Sequence, residues 1–385
     1  MAARIAVGVS TSFDPIEAFS DAARQARGEL GAECDLCMVF ASAPHLGHAK
    51  MLLSAIHEEL RPRHLIGCGA GGVVGPWREL EEGPGAVVWA ASLPGATIET
   101  HHFTAEPGDA SNDVAGLDGG ELGNAMIVLA DPYSFPTEVL LSQLSERSPG
   151  LPVLGGLASA TAAGSAALFR DGEVVGEGAV ACSIAGAPVL TCVSQGASPV
   201  GPEMTITAAE GNVITELASV PAIERLREAI GMLSPAEQDL AAGGLMLGIV
   251  IDENQPDYER GDFLVRPVIG ADAEAGTIAI GERVRVGQTV RMHVRDGASA
   301  DEDLRMTLHT RLENMGPEPI AGGLLFTCNG RGKHMFSVPD HDAKAVGDAL
   351  EAPVGGFFCA GEIGPVGGRN FLHGFTATMA VFAAE

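Results

Sequence analysis

Lysine is nearly absent from this sequence. Lys50, Lys333 and Lys344 are the only three, and with the arginines they make 23 bases against 50 acids, a net charge of −27. Nucleic acids and anionic lipid surfaces are held by basic patches, so this balance excludes both as expected partners. Long apolar runs are lacking as well: the stretch from Ala179 to Val193 is interrupted by Pro188 and is too short to span a bilayer. No charged segment leading into an apolar one opens the chain, so a soluble, cytoplasmic protein is expected. Cysteine is sparse and irregularly spaced, seven in 385 residues, which predicts reduced thiols rather than a disulfide framework. Missing too are a Walker loop, a GxSxG elbow, an HExxH helix and a kinase signature. A hydrolase or transferase of this size ordinarily carries one, so the chain is not read as an enzyme.

Cofactor and metal sites are not expected either. Cys34 and Cys37 form a CxxC that runs into an apolar strand instead of opening a helix, and it is read as core packing. His45 and His48 have no carboxylate or cysteine at ligand spacing nearby. GCGAGG at 67–72 lacks the spacing of a dinucleotide loop ahead of a helix.

What the sequence does contain is a dense constellation near its end, CNGRG at 328–332 and GFFCAGEIGPVGGRNFLHG at 356–374. Glycine permits bent backbone and close approach, so the functional groups among these glycines are presented on turns. Arg331 and Arg369 offer guanidinium forks for a carboxylate, with a salt bridge to a neighbouring acid as the alternative. Glu362 precedes an apolar residue, is expected to be partly buried and is suited to an amine. Asn329 and Asn370 supply amides. Cys328 and Cys359 end apolar strands, and buried thiols are the ordinary reading. The sharper alternative makes Cys359 a nucleophile for acyl transfer or hydrolysis, with His373 as base and Glu362 orienting it.

One unit recurs three times: an apolar strand, a polar loop, an amphipathic helix and a second strand ending in a glycine-rich turn. The strands are 37–41 and 64–75, then 125–130 and 151–160, then 322–328 and 353–364. Aligning Gly67, Gly155 and Gly356 brings Gly72, Ala160 and Gly361 into line. In the third copy Asp340 is expected to cap a helix whose buried stripe is Ala343, Val346, Gly347 and Leu350. Strands apolar throughout favour parallel pairing through helical crossovers, so the expected fold is mixed α/β, with layered sheets covered by helices. In such units the loops at the carboxyl ends of the strands fan apart. Residues 42–48, 131–135, 329–336 and 356–373 are therefore expected to meet at one cleft.

At these residues the chain resembles the FIST family. The C-terminal half of that family carries a CNGRG-like strand end, a GFFCAGEIGP-like turn and an NFLHG-containing strand, here at 328–332, 356–365 and 370–377. GCGAGG at 67–72, GGLAS at 155–159 and AEGNVI at 209–214 stand in the order of its N-terminal half. The resemblance covers essentially the whole chain and implies a division into 1–217 and 218–385. It implies a sensory domain for small ligands, amino acids among them, acting in signal transduction. No output region is attached, so a separate signalling protein is the implied partner. On this reading Cys328, Asn329, Arg331, Cys359, Glu362, Arg369, Asn370 and His373 line a ligand site between the halves. A protein-interaction adaptor is the remaining alternative.

Overall fold

The computed structural model describes residues 2–105, 114–117, 122–159 and 167–384; Ala160 lies outside them. The chain is mixed α/β and forms two compact units, Met1–Val193 with Leu304–Glu385, and Ser194–Asp303. Compaction therefore divides the chain differently from the family division near residue 217.

The first unit holds three sheets. In one, strands Leu36–Ser42 and His64–Ala70 pair in parallel, joined by helix Ala49–Glu59, with Ala86–Ser92 and Arg4–Ser10 completing that side. In a second, Ala125–Ala130 and Val153–Leu157 pair in parallel through helix Thr137–Arg147. In the third, Ile320–Cys328 and Val354–Cys359 pair in parallel through helix His341–Leu350. These strands are buried along nearly their whole length, as continuous apolar composition requires when both faces are covered. Phe40, Ile66, Leu129, Leu154, Phe326 and Phe357 share one hydrophobic core that draws on all three sheets.

Two pairings knit the end of the chain into its beginning. Gly356 and Phe357 pair with Val74 and Val73, and Gly155 and Gly156 pair with Ile363 and Glu362. Backbone approach at these joints is close: a Cβ on Gly156 would stand 2.4 Å from the Cys359 sulfur.

The second unit is an antiparallel barrel, not a layered sheet. Its strands run in the order Ala197–Glu210, Thr289–Arg295, Leu245–Val250, Phe263–Asp272, Thr277–Ile280 and Val213–Leu217, and the last pairs back to the first. The turn signals at Ala275-Gly276 and Val286-Gly287 mark off strands of this unit in the sequence, whereas ring closure depends on a pairing that no local pattern records.

The stripe Ala343, Val346, Gly347 and Leu350 is buried as expected. Asp340 does not cap its own helix. It sits in the left-handed region at φ 61°, its side chain accepts from the Glu79 N–H and pairs with Lys344, and Glu79 Oε1 accepts from the Ala343 N–H in its place.

Candidate functional site

At the carboxyl ends of the parallel strands in the first unit, segments 71–72, 157–159, 329 and 358–360 adjoin, and none of the hydrogen bonds described there comes from 42–48 or 131–135. Gly71 N–H donates to Ser159 Oγ at 2.7 Å, and the same hydroxyl donates to the Phe358 carbonyl at 2.5 Å. Phe358 N–H reaches the Gly72 carbonyl, Ala360 N–H reaches Leu157, and Asn329 N–H reaches Cys359. Gly71, Asn329 and Ala360 remain exposed at the surface of this junction, while Ser159 and Gly72 are buried. Bends from three distant segments thus share one edge, held by backbone groups that the end of each strand leaves unpaired. The site is built within the first compact unit from both halves of the sequence.

Arg331 is the first expected ligand residue to be reassigned. Its guanidinium is fully buried and grips Asp342 bidentately, Nε to Oδ2 at 2.7 Å and Nη2 to Oδ1 at 2.9 Å. Thr327 Oγ1 donates to Oδ2 at 2.6 Å, and His341 Nδ1 lies 2.9 Å from Oδ1. Phe336 is enclosed between the His341 ring, stacked at 3.5 Å, and the guanidinium 5.1 Å from its centroid. Burial by itself would raise the Asp342 pKa, but the Arg331 charge and these hydrogen bonds hold it well below the usual carboxylate range. The carboxylate that Arg331 binds is therefore supplied by the chain.

Glu362 has the opposite surroundings. It is fully buried, its Oε2 accepts from the Thr376 N–H at 3.1 Å and Thr376 Oγ1 at 2.9 Å, and its Oε1 has no hydrogen-bond partner among the described residues. The Cys328 thiol lies beside the carboxyl, and the Arg331 charge is near enough to be felt there. Burial outweighs the Thr376 bonds and pushes its pKa up to about 8, so the group is a neutral acid near neutral pH. Phe375, immediately before Thr376, is held in the left-handed region at φ 63°, and its ring would meet a Cβ on Gly330 at 2.5 Å. Glycine at 330 is what lets this aromatic ring lie over the bend.

The remaining expected residues separate into near and far. Cys328 and Cys359 are direct partners on neighbouring strands and both are buried; burial raises both thiols, with the Glu362 carboxyl adding to it. The Cys359 thiol reaches the Phe357 carbonyl at 3.7 Å. His373 faces Glu362 across a hairpin, but its Nε2 is engaged with the Gly364 carbonyl at 3.0 Å. Asn329 is exposed at the junction. Arg369 and Asn370 are not brought there. They pair with Val366 and Pro365 at the far end of the hairpin, three to four residues along an extended strand from Glu362, roughly 10–13 Å away. The Asn370 amide is spent on Val153 N–H and the Leu151 carbonyl, at the opposite end of that strand, and exposed Arg369 lies over Phe371.

Four residues escaped the sequence reading. Ser159 and Thr376 stand inside segments singled out there and Asp342 stands near one; Glu79 carries no local signal. Glu79, buried beside Asp342, is raised to about 7 by burial and by that charge, against the Ala343 N–H it accepts. Cys34 and Cys37 are buried and raised, Cys34 to about 12, as core thiols should be. His45 is buried edge-on to Phe19, His48 is exposed, and no metal-ligand cluster exists among the described residues. Two open grooves of about 590 and 600 Å³ lie at the amino ends of the strands, around Gly31, Glu33 and Arg63. Arg63 there is paired to Glu33 and Asp35, and Arg27 caps the Glu59 carbonyl, so helix ends and ion pairs account for those charges. No helix among the described residues is long and apolar enough to cross a membrane.

Comparison with known proteins covers the same ground from end to end. The model of the FIST N domain matches residues 35–219 and that of the FIST C domain matches 222–365. An uncharacterized protein of Mycobacterium tuberculosis is 45% identical over 383 residues, covering 98% of this chain and 99% of its own. An uncharacterized protein of Mycobacterium bovis is 42% identical over 386 residues, covering 99% of each chain.

Proposed function

The chain belongs to the FIST family, whose domains are generally sensory and signal-transduction domains, and from that premise we propose that it is an intracellular small-molecule sensor. Its ligand is a small polar metabolite, amino acids among the candidates, read where Gly71, Ser159, Asn329 and Ala360 adjoin. The observation that carries this reading is the Glu362 Oε1 atom, buried and without a hydrogen-bond partner among the described residues, on a side chain two residues beyond Ala360 and beside Cys328, which precedes Asn329. An unmet buried polar atom is costly to keep, and a ligand that meets it recovers the cost on binding. The three strand–helix–strand crossovers read as copies of one unit whose turns were adapted to enclose the ligand. The raised thiols of Cys328 and Cys359 support binding rather than nucleophilic chemistry. A separate protein takes up the signal.

Titration calorimetry against amino acids and other small polar metabolites tests the reading. Binding is expected to weaken by about tenfold or more in Glu362→Gln, a loss in line with a charge-assisted hydrogen bond, and to weaken in Asn329→Ala. Affinity that neither variant changes would remove the site from this edge.

A further inference from the structure

Charge accounting around Glu362 narrows the ligand class. Arg331 and Asp342 cancel each other as a buried bidentate pair, and Arg331 Nη1 reaches the Phe375 carbonyl at 3.5 Å. Among the described residues the Cys328 and Cys359 thiols, kept neutral by burial, also act on the carboxyl, and His373 stands opposite it in the hairpin. Oε2 is fixed as an acceptor by two Thr376 donors, so any further demand falls on Oε1. A carboxylate arriving here would add a negative charge beside a buried acid, where the nearby arginine is already paired. An ammonium or guanidinium would instead be balanced by Glu362 once that carboxyl ionises. At long range the chain's net charge of −27 draws cations in and holds anions off.

We propose that the site at Glu362 selects a cationic head group, an alkylammonium or a guanidinium, without needing a carboxylate on the same molecule. The group enters by exchange for a proton: the Oε1–H bond breaks, the proton leaves to buffer, and a ligand N–H donates to the ionised Oε1. The bound cation keeps its own protons, so one proton is released per ligand. This inference rests on the receptor reading of the same edge and specifies which end of the ligand is read.

The test uses the full-length protein and three matched sets of probes: ethanolamine, butylamine and agmatine as cations; glycolate and butyrate as anions; ethylene glycol and butanol as neutral counterparts. Calorimetry in buffers of differing ionisation enthalpy counts the protons released. The expected result is binding by at least one cation, with close to one proton released near neutral pH. Its affinity should rise about tenfold per pH unit and flatten as pH passes about 8, where Glu362 is already ionised. Glu362→Gln, an isosteric change whose folding is checked by circular dichroism, should abolish both the binding and the proton release. Binding of an anion or neutral probe that Glu362→Gln weakens would overturn the cation assignment and leave the receptor reading standing. A cation bound with no proton released would overturn the exchange. No binding by any probe, with none by the wider metabolite panel, would bring down both.

Discussion

Asp342 and Glu362 are both fully buried carboxyl groups within one compact unit, yet they hold opposite protonation states. The difference is the supply of donors. Asp342 receives the guanidinium fork of Arg331, the Thr327 hydroxyl and His341, spread over both of its oxygens. Glu362 receives two Thr376 donors on a single oxygen, with the neutral Cys328 thiol beside it, and none of these donors carries a full charge. Burial raises both groups, and only at Asp342 do a paired cation and several hydrogen bonds reverse it. One carboxyl is thereby a fixed part of the scaffold, and the other has an oxygen that no donor among the described residues meets.

Removing one partner of the satisfied pair should have the largest effect. Asp342→Ala leaves Arg331 charged and buried, and unfolding by urea should show a loss of roughly 3–5 kcal/mol. Replacing both partners with apolar residues, Arg331→Met with Asp342→Leu, should recover much of it. A single Asp342→Ala variant as stable as the parent would erase the contrast between the two carboxyls.

Glu362→Gln should cost little at about pH 7, under about 1 kcal/mol, because one neutral group replaces another. Its signature is in the pH dependence. With a folded pKa of about 8 against an ordinary 4.5, the folded state holds the Glu362 proton where the unfolded state has lost it. That contribution to stability is fully present below the ordinary value and is lost as pH rises through about 8. Glu79, raised to about 7, adds a decline of the same sign over a similar range. Asp342 acts in the other direction, with stability present above the ordinary carboxylate range and lost only in strong acid. Denaturation measured from mildly acid to mildly alkaline pH should therefore show a shallower fall in Glu362→Gln than in the parent. An unchanged slope would mean that Glu362 is ionised in the folded protein.

The smallest effect is expected at the far end of the hairpin. Arg369→Ala removes an exposed side chain from a turn and should change stability by no more than about 0.5 kcal/mol, with ligand affinity unaltered in calorimetry. A marked loss of affinity would draw Arg369 back into the site.

Much of the first unit is legible along the chain. The apolar runs at 37–41, 125–130 and 322–328 read as buried strands because they lack alternation. The helices after His48, Pro136 and Asp340 show their periodic faces. The CNGRG and GFFCAGEIG segments announce where chemistry gathers, because glycines and polar groups interrupt apolar strand ends. Less legible is what each polar group faces. Asp342 lies eleven positions beyond Arg331 with a loop and a helix start between them, and Asp340, two residues earlier, looked the better helix cap. Arg369 stands seven positions from Glu362 in sequence, but an extended hairpin carries it away. Closure of the barrel joins strands whose patterns name no partner.

Side-chain chemistry and hydrophobic spacing act over a few residues, and so the chain by itself determined its strands, its crossover helices, its surplus of negative charge and the neighbourhood of its glycine bends. Tertiary structure alone decided which carboxyl is ionised, which arginine is already engaged, and that Ser159, Gly71 and Phe358 share one hydroxyl. Those outcomes depend on distance and on the exclusion of water, and both are set only when segments far apart in sequence are packed together.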